Sequence, residues 1–483
     1  MGADQPADPP IQNSPHPPLL AGRRAPVWGD ESTIVTDAFA WAENRVVRSS
    51  DPKTTARPAS ELASALGQTI TPEGIGGRRA LELFETVVEP ATRAQDDPMN
   101  LAYIPAAPTG AAVAFDVVTT SANIFAGLWE AGAGAIHAEN EALAWLTGLL
   151  GWPGTAGGCF VSGGTTGNLS ALVAARAKAQ RERGGRPADG WQVACSQGAH
   201  SSIAAAARVM DVEVLTVPED STGHLTGPAL RDAITSPERV FAVVASAGTT
   251  NAGIIDDLAG IADVCEEIGA WMHVDGAYGG AGLASPRLQP LYEGIERAHS
   301  FIVDPHKWLF ATYDCCALIY RDIDDARAAH AQHASYLDRV DREAINPSDL
   351  AIHLSRRARG LPFWFSLATH GTDAYATAIE TTVITAHEVA AWIEHSENLR
   401  LLKSPELSVV LFDRPGWSEA DYDRWSDRLA KAGVILCVPT SYQGATALRL
   451  AFVNPATEAE KVIEVLHATT LDDIPYPEHT STD

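Results

Sequence analysis

Four short segments of this chain carry the side chains best able to do chemistry. In SFIVDPHKWLF an apolar run ends in Asp304-Pro305-His306-Lys307, with Trp308, Leu309 and Phe310 hemming the lysine. Lysine is seldom buried without a use, and burial penalises its charged form and lowers its pKa. A neutral amine in such a place is a natural Schiff-base former. In HVDGAYGG a second apolar run delivers Asp275, with the small Ala277 two residues on. A carboxylate there could hold a protonated ring nitrogen, and a methyl could lie flat under the ring. In FVSGGTTGNLSALVAA the glycines around Gly164 and Thr165 precede an amphipathic helix. Such a turn brings backbone N–H groups and a helix N-terminus to a phosphate. It matches neither the dinucleotide fingerprint nor a P-loop. In CSQGAHSSIAAAARVM, His200 falls at a strand-to-helix junction, where an imidazole could stack on a ring. Singly, each has an ordinary use: a lysine that snorkels, an aspartate that caps a turn, a tight turn, a satisfied histidine. Together, in the order phosphate turn, imidazole, carboxylate and amine, they match the functional groups of pyridoxal phosphate (PLP).

These motifs resemble those of the group II PLP-dependent decarboxylases, which include the aromatic L-amino acid, glutamate and cysteine sulfinate decarboxylases. The resemblance runs over residues 54–468, and DPHKW is its most specific element. It implies the aspartate-aminotransferase type fold (fold type I) and a homodimer whose N-terminal helices wrap the partner. It also implies Lys307 as the cofactor-bearing lysine, Asp275 as the ring-nitrogen partner and His200 as the stacking histidine. Ala277 would form the opposite face of the ring, Thr250 in SAGTTNAG would lie near it, and Gly164 and Thr165 would bind phosphate. His306 matches the family histidine beside the lysine, and Asp304 falls where some members have Asn. AENE (Glu139, Glu141) and SRRARGLPFW (355–364) resemble further family segments. Tyr103 and Ile104 in AYIP, with Trp129, would form a substrate wall suited to an aromatic or apolar side chain, although each also suits a core. Arg449 could pair with a substrate carboxylate or tie two domains together. One departure matters. After Tyr336 the region LDRVDREAINPSDLAIHLS, expected to be a mobile lid, has no Tyr to return a proton to the substrate carbon. The expected activity is decarboxylation of an L-amino acid. The alternatives are a decarboxylating aldehyde synthase, an acidic amino acid decarboxylase, another PLP lyase or transaminase, and a silent member that only binds.

The elements that must position these residues read as α/β. Short apolar, β-branched runs near Val193, Val212, Val240, Trp271, Ser300 and Cys315 alternate with helical stretches such as LSALVAARAKAQRER. That alternation predicts a large, mainly parallel sheet covered on both faces, with ligands at the carboxyl ends of its strands. The expected organisation is a Pro-rich tail (1–30), an N-terminal helical segment (31–105), a large PLP-binding domain (106–370), a small C-terminal α+β domain (371–471) and a tail (472–483). FWFSLATHGTDAYATAIETTVITAHEVAAWIEHS reads as one long helix. LSVVLFDRP, VILCVPTSYQ and ALRLAFVN read as strands, and Thr457 with Glu460 as a capping box.

The 483 residues carry a formal charge of −26, which disfavours nucleic acid and anionic membrane as partners. No apolar run is long enough to span a bilayer, and the first residues lack a secretory pattern. Six scattered cysteines suggest neither a disulfide framework nor a metal site. The expectation is a cytoplasmic protein acting on a small amino acid.

Overall fold

The computed structural model describes residues 31–48, 50–51, 55–331 and 344–469. Residues 31–48 and 57–91 form one compact helical unit, and the remaining described residues form another. The helical unit holds Ser32–Val47, Ala59–Leu66 and Gly77–Leu83, the last running on through a π-turn at Phe84–Val88.

The larger unit is built on two sheets. The first comprises β1 (Gly157–Val161), β2 (Gln192–Ser196), β3 (Glu213–Val217), β4 (Val240–Ser246), β5 (Trp271–Asp275), β6 (Ser300–Val303) and β7 (Cys316–Tyr320), in the spatial order β1-β7-β6-β5-β4-β2-β3. The pairs from β6 through β5, β4 and β2 to β3 are parallel, and β7 runs antiparallel to both β6 and β1. All strands but β7 therefore end on the same edge. The central strands read as unbroken apolar runs because both faces are covered. On β7, Cys316, Leu318 and Tyr320 enter one core while Ala317 and Ile319 enter the other, the two-residue period of a strand. The helix Gly164–Glu182 covers the first of these faces, and Leu258–Ile268 packs against the second.

The second sheet holds β8 (Arg400–Lys403), β9 (Val409–Asp413), β10 (Pro439–Tyr442) and β11 (Ala445–Ala451), antiparallel in the order β10-β11-β9-β8. Val410, Phe412, Leu448 and Leu450 meet Val389, Ile393, Trp425 and Leu429 from the overlying helices.

Three expectations change. The long helix is two, Leu361–His370 and Thr372–Glu394, broken at Gly371, whose φ of 79° lies outside the helical region. The capping box does not form: the helix Ala459–Ala468 begins after Glu458, and Thr457 instead donates its hydroxyl to the Pro98 carbonyl at 2.7 Å. The expected lid is in part a packed segment. Its residues 332–343 lie outside the described residues, but Asn346, Ser348, Asp349, Leu350 and Ala351 are buried, and the Tyr320 hydroxyl donates to the Leu350 carbonyl at 3.1 Å. The two terminal tails fall outside the described residues as well.

Candidate active site

The strands that end on the common edge hand their next residues to one cleft of about 270 Å³. After β1 come Gly164 and Thr165, after β2 His200, after β4 Thr250, at the end of β5 Asp275 and then Ala277, and after β6 Asp304, His306 and Lys307. Parallel strands place their carboxyl ends together, so residues scattered from Gly164 to Lys307 converge.

Lys307 Nζ lies 3.0 Å from Asp304 Oδ2, and its side chain is 24% exposed. The amine expected to be neutral is instead paired. Burial, the largest single influence, acts to lower its pKa, but Asp304 first, with Asp275 and Cys316, offsets this and the net shift is upward. Asp304 is itself held below the usual carboxylate range: burial opposes this, and Lys307 and His306 outweigh it. Asp304 Oδ2 also lies 3.4 Å from the Gly164 N–H. Its Oδ1 has no hydrogen-bond partner among the described residues, with the Cys316 thiol nearby. His306 is anchored by its Nδ1 to the Cys315 carbonyl at 2.7 Å, and its ring tilts against that of Tyr313, 4.7 Å away.

Asp275 is set by a different kind of contact. Its Oδ1 accepts from the Ala277 N–H at 3.1 Å and its Oδ2 from Asn168 Nδ2 at 2.8 Å. The Asn168 Oδ1 faces His273 Nε2 at 2.8 Å, His273 Nδ1 faces Ser300 Oγ at 2.8 Å, and Ser300 Oγ accepts from the Trp271 indole at 2.7 Å. Asn168 Nδ2 also donates to Ser202 Oγ at 2.9 Å, and Ser202 Oγ lies 2.8 Å from His200 Nδ1. His273 is fully enclosed, and burial pushes its pKa down to about 4. Sequence reasoning missed Asn168, Ser202, His273 and Tyr313. Asn168 stands one residue past the glycine turn and could have been flagged as a polar residue on the buried face of its helix.

The expected substrate wall does not join this cleft within the chain. Tyr103 is 68% exposed, Ile104 lies in the core beside Leu143, and Trp129 packs against a separate cluster around Ile136. Arg449 ties segments together: buried in β11, it donates to the Tyr103 carbonyl. The two further resembling segments pair with each other. Arg356 grips Glu139 through two 2.7 Å bonds, and the Trp364 indole donates to Glu141 at 2.7 Å.

The cleft fits PLP. It combines an amine able to hold an aldehyde carbon, a buried carboxylate for a ring nitrogen, and the opening amides of a 19-residue helix for a phosphate. A Cβ at Gly164 would stand 3.2 Å from the Ala277 methyl and 3.3 Å from Asp304 Oδ2, so any larger residue would crowd the cradle.

Comparison with known proteins agrees. The pyridoxal-dependent decarboxylase conserved domain matches residues 78–414. An L-2,4-diaminobutyrate decarboxylase of Rhizobium meliloti is 32% identical over 407 residues, covering 81% of this chain and 79% of that protein. An aromatic-L-amino-acid decarboxylase of Bacillus atrophaeus is 29% identical over 434 residues, covering 85% and 89%. In fold, the chain is similar to an Oryza sativa TDC crystallised with PLP and tryptamine, with a TM-score of 0.84 at 23% identity over 92% of this chain and 98% of that one. Its architecture is that of fold type I. The chain belongs to the pyridoxal-dependent decarboxylase family and is a PLP-dependent carboxy-lyase acting on an amino acid.

Proposed function

We propose that the chain removes the α-carboxylate of an L-amino acid with an aromatic or apolar side chain, using Lys307, Asp275 and His200. The observation that carries this reading is the meeting of Lys307, Asp275 and His200 in one cleft at the carboxyl edge of the sheet. Lys307 would hold the aldehyde carbon of PLP, and the amides of Gly164 and Thr165 its phosphate. Asp275 would face the ring nitrogen and keep it protonated. Ala277 and His200 would lie on opposite faces of the ring, with Thr250, Asp304 and His306 around it. Bound PLP supplies an electron sink for the pair released when the Cα–carboxylate bond breaks. The protein's part is orientation and proton placement. Asp304 keeps the charge on Lys307 Nζ balanced whenever the amine is free.

The aromatic reading is supported by the Bacillus relative and by Tyr313, a half-exposed ring in the cleft wall. A second reading, a side chain bearing an amine as in 2,4-diaminobutyrate, is favoured by the 32% identity to the Rhizobium enzyme. We read the assembly as a homodimer. The helices Ser32–Val47 and Ala59–Leu66 bury no residue within their own chain, and Phe39 and Val47 are exposed. A cytoplasmic location accords with six cysteines that are all free and buried.

The test is release of CO2 by PLP-loaded protein across aromatic, aliphatic, acidic and diamino acids, with peroxide followed in parallel to detect aldehyde formation. Lys307→Ala is expected to abolish both turnover and the borohydride-trapped adduct. Turnover or trapping retained in that variant overturns the assignment, and CO2 from 2,4-diaminobutyrate alone selects the second reading.

A further inference from the structure

We infer that Asn168 is a positioning residue that fixes the acid and the imidazole of the cleft at once, one amide ordering Asp275 directly and His200 through Ser202. The inference rests on reading Asp275 as the partner of the PLP ring nitrogen.

The hydrogen-bond chain has a determinate direction because its two ends are chemically one-sided. A carboxylate only accepts and an indole N–H only donates. Asp275 Oδ2 therefore selects the NH2 side of the Asn168 amide, at 2.8 Å. The Asn168 oxygen is then turned to His273, whose Nε2 must be the donor. His273 Nδ1 is left as an acceptor and takes the Ser300 hydroxyl hydrogen, while Ser300 Oγ takes the Trp271 N–H. A neutral His273 is the form this arrangement needs, and burial favours that form over the opposing pull of the Asp275 carboxylate.

The side arm is equally constrained. The second Asn168 amide hydrogen goes to Ser202 Oγ at 2.9 Å, so the Ser202 hydroxyl hydrogen is available to His200 Nδ1 at 2.8 Å. The Ser202 N–H approaches the same nitrogen at 3.2 Å. Both contacts make Nδ1 the acceptor, which leaves Nε2 as the hydrogen-bearing nitrogen of a neutral His200. Asn168, Ser202, His273, Ser300 and Trp271 are all buried, so water cannot substitute for a lost member. Five groups thus hand one orientation to the two side chains that would touch the ring.

The experiment compares the parent protein with Asn168→Asp, which keeps the shape but removes the donors, and with Ser202→Ala, which cuts only the His200 arm. The readouts are the PLP dissociation constant from quenching of tryptophan fluorescence, the pH midpoint of the visible absorbance of the loaded protein, and the thermal midpoint. Asn168→Asp is expected to weaken PLP binding roughly tenfold or more, as loss of an orienting outer contact does at other bound cofactors, and to move the absorbance midpoint. Ser202→Ala is expected to keep the dissociation constant within about twofold, because the Asp275 contact survives. An unchanged constant and an unchanged midpoint in folded Asn168→Asp overturn the inference. Should that variant not fold, His273→Leu, which frees the Asn168 amide to turn, is measured in its place, and parental values there overturn it equally. Borohydride trapping on Lys307 of the parent is run alongside. A missing adduct overturns the cofactor-site reading and this inference with it, whereas a normal adduct with indifferent variants overturns the role of Asn168 alone.

Discussion

Two buried ion pairs, Glu139–Arg356 and Asp304–Lys307, show how similar residues take on different work. In the first, both guanidinium arms reach the carboxylate at 2.7 Å, the side chains are 3% and 1% exposed, and Glu139 Oε1 takes the Gly360 N–H besides. Every oxygen of Glu139 is occupied. In the second, one amine meets one oxygen at 3.0 Å, the lysine remains 24% exposed, and the other oxygen has no donor. The first pair closes a seam between segments 217 residues apart. The second is held in reserve, its lysine open to the cleft. The carboxylate is filled in the structural pair, where only the Arg356 Nε lacks a partner among the described residues, and half filled in the chemical one.

Breaking the first pair should give the larger effect on folding. Glu139→Gln strands a buried guanidinium, and loss of one partner of a buried pair costs about 3–5 kcal/mol. A lowered thermal midpoint with unchanged PLP affinity per folded molecule is the expected outcome. Asp304→Asn should act chiefly on chemistry. Asparagine can still accept from Gly164 but cannot balance Lys307, so burial then dominates the amine and lowers its pKa. The pH midpoint of adduct formation with PLP is expected to fall by about one unit, or about 1.4 kcal/mol, with little change in melting. A large stability loss in this variant and none in Glu139→Gln would reverse the comparison.

The most gradual effect is a pH slope. Burial pushes His273, His299 and His353 down to about 4, so between pH 6.5 and 4 the unfolded chain binds protons that the folded one refuses. Their contribution is complete above about pH 6.5 and is lost on acidification at about 1.4 kcal/mol per unit for each. Asp256, pushed up to about 7 by burial, works the other way, because its folded form takes a proton first as the pH falls. Denaturant unfolding at pH 7, 6 and 5 should show a net loss worth about two histidines, three less the opposing Asp256, and Asp256→Asn should steepen it.

The residues legible in the sequence share one property: each ends a strand or lies within four residues of a strand's end. Lys307, Asp275, His200, Thr250 and Gly164 could be assigned because an apolar run announces its own end, and parallel ends gather. Strand β1 was harder to see, because GGCFV opens with two glycines. Gly158 is there because a Cβ would fall 1.9 Å from the Leu318 carbonyl of β7, a demand invisible from its neighbours. Asn168 was missed because its partner Asp275 lies 107 residues away. Tyr103 matched a wall motif by type, yet its φ of 55° and its exposure set it outside the cleft.

In the proposed site, the helix that starts at Gly164 would offer its opening turn to the phosphate, while its fifth residue, Asn168, donates to Asp275, the carboxylate proposed for the other end of the ring. Four residues of α-helix rise about 6 Å. That stretch acts as a ruler cut to the length of one vitamin. Adding or deleting a single residue within it would swing one end about 100° out of alignment with the other.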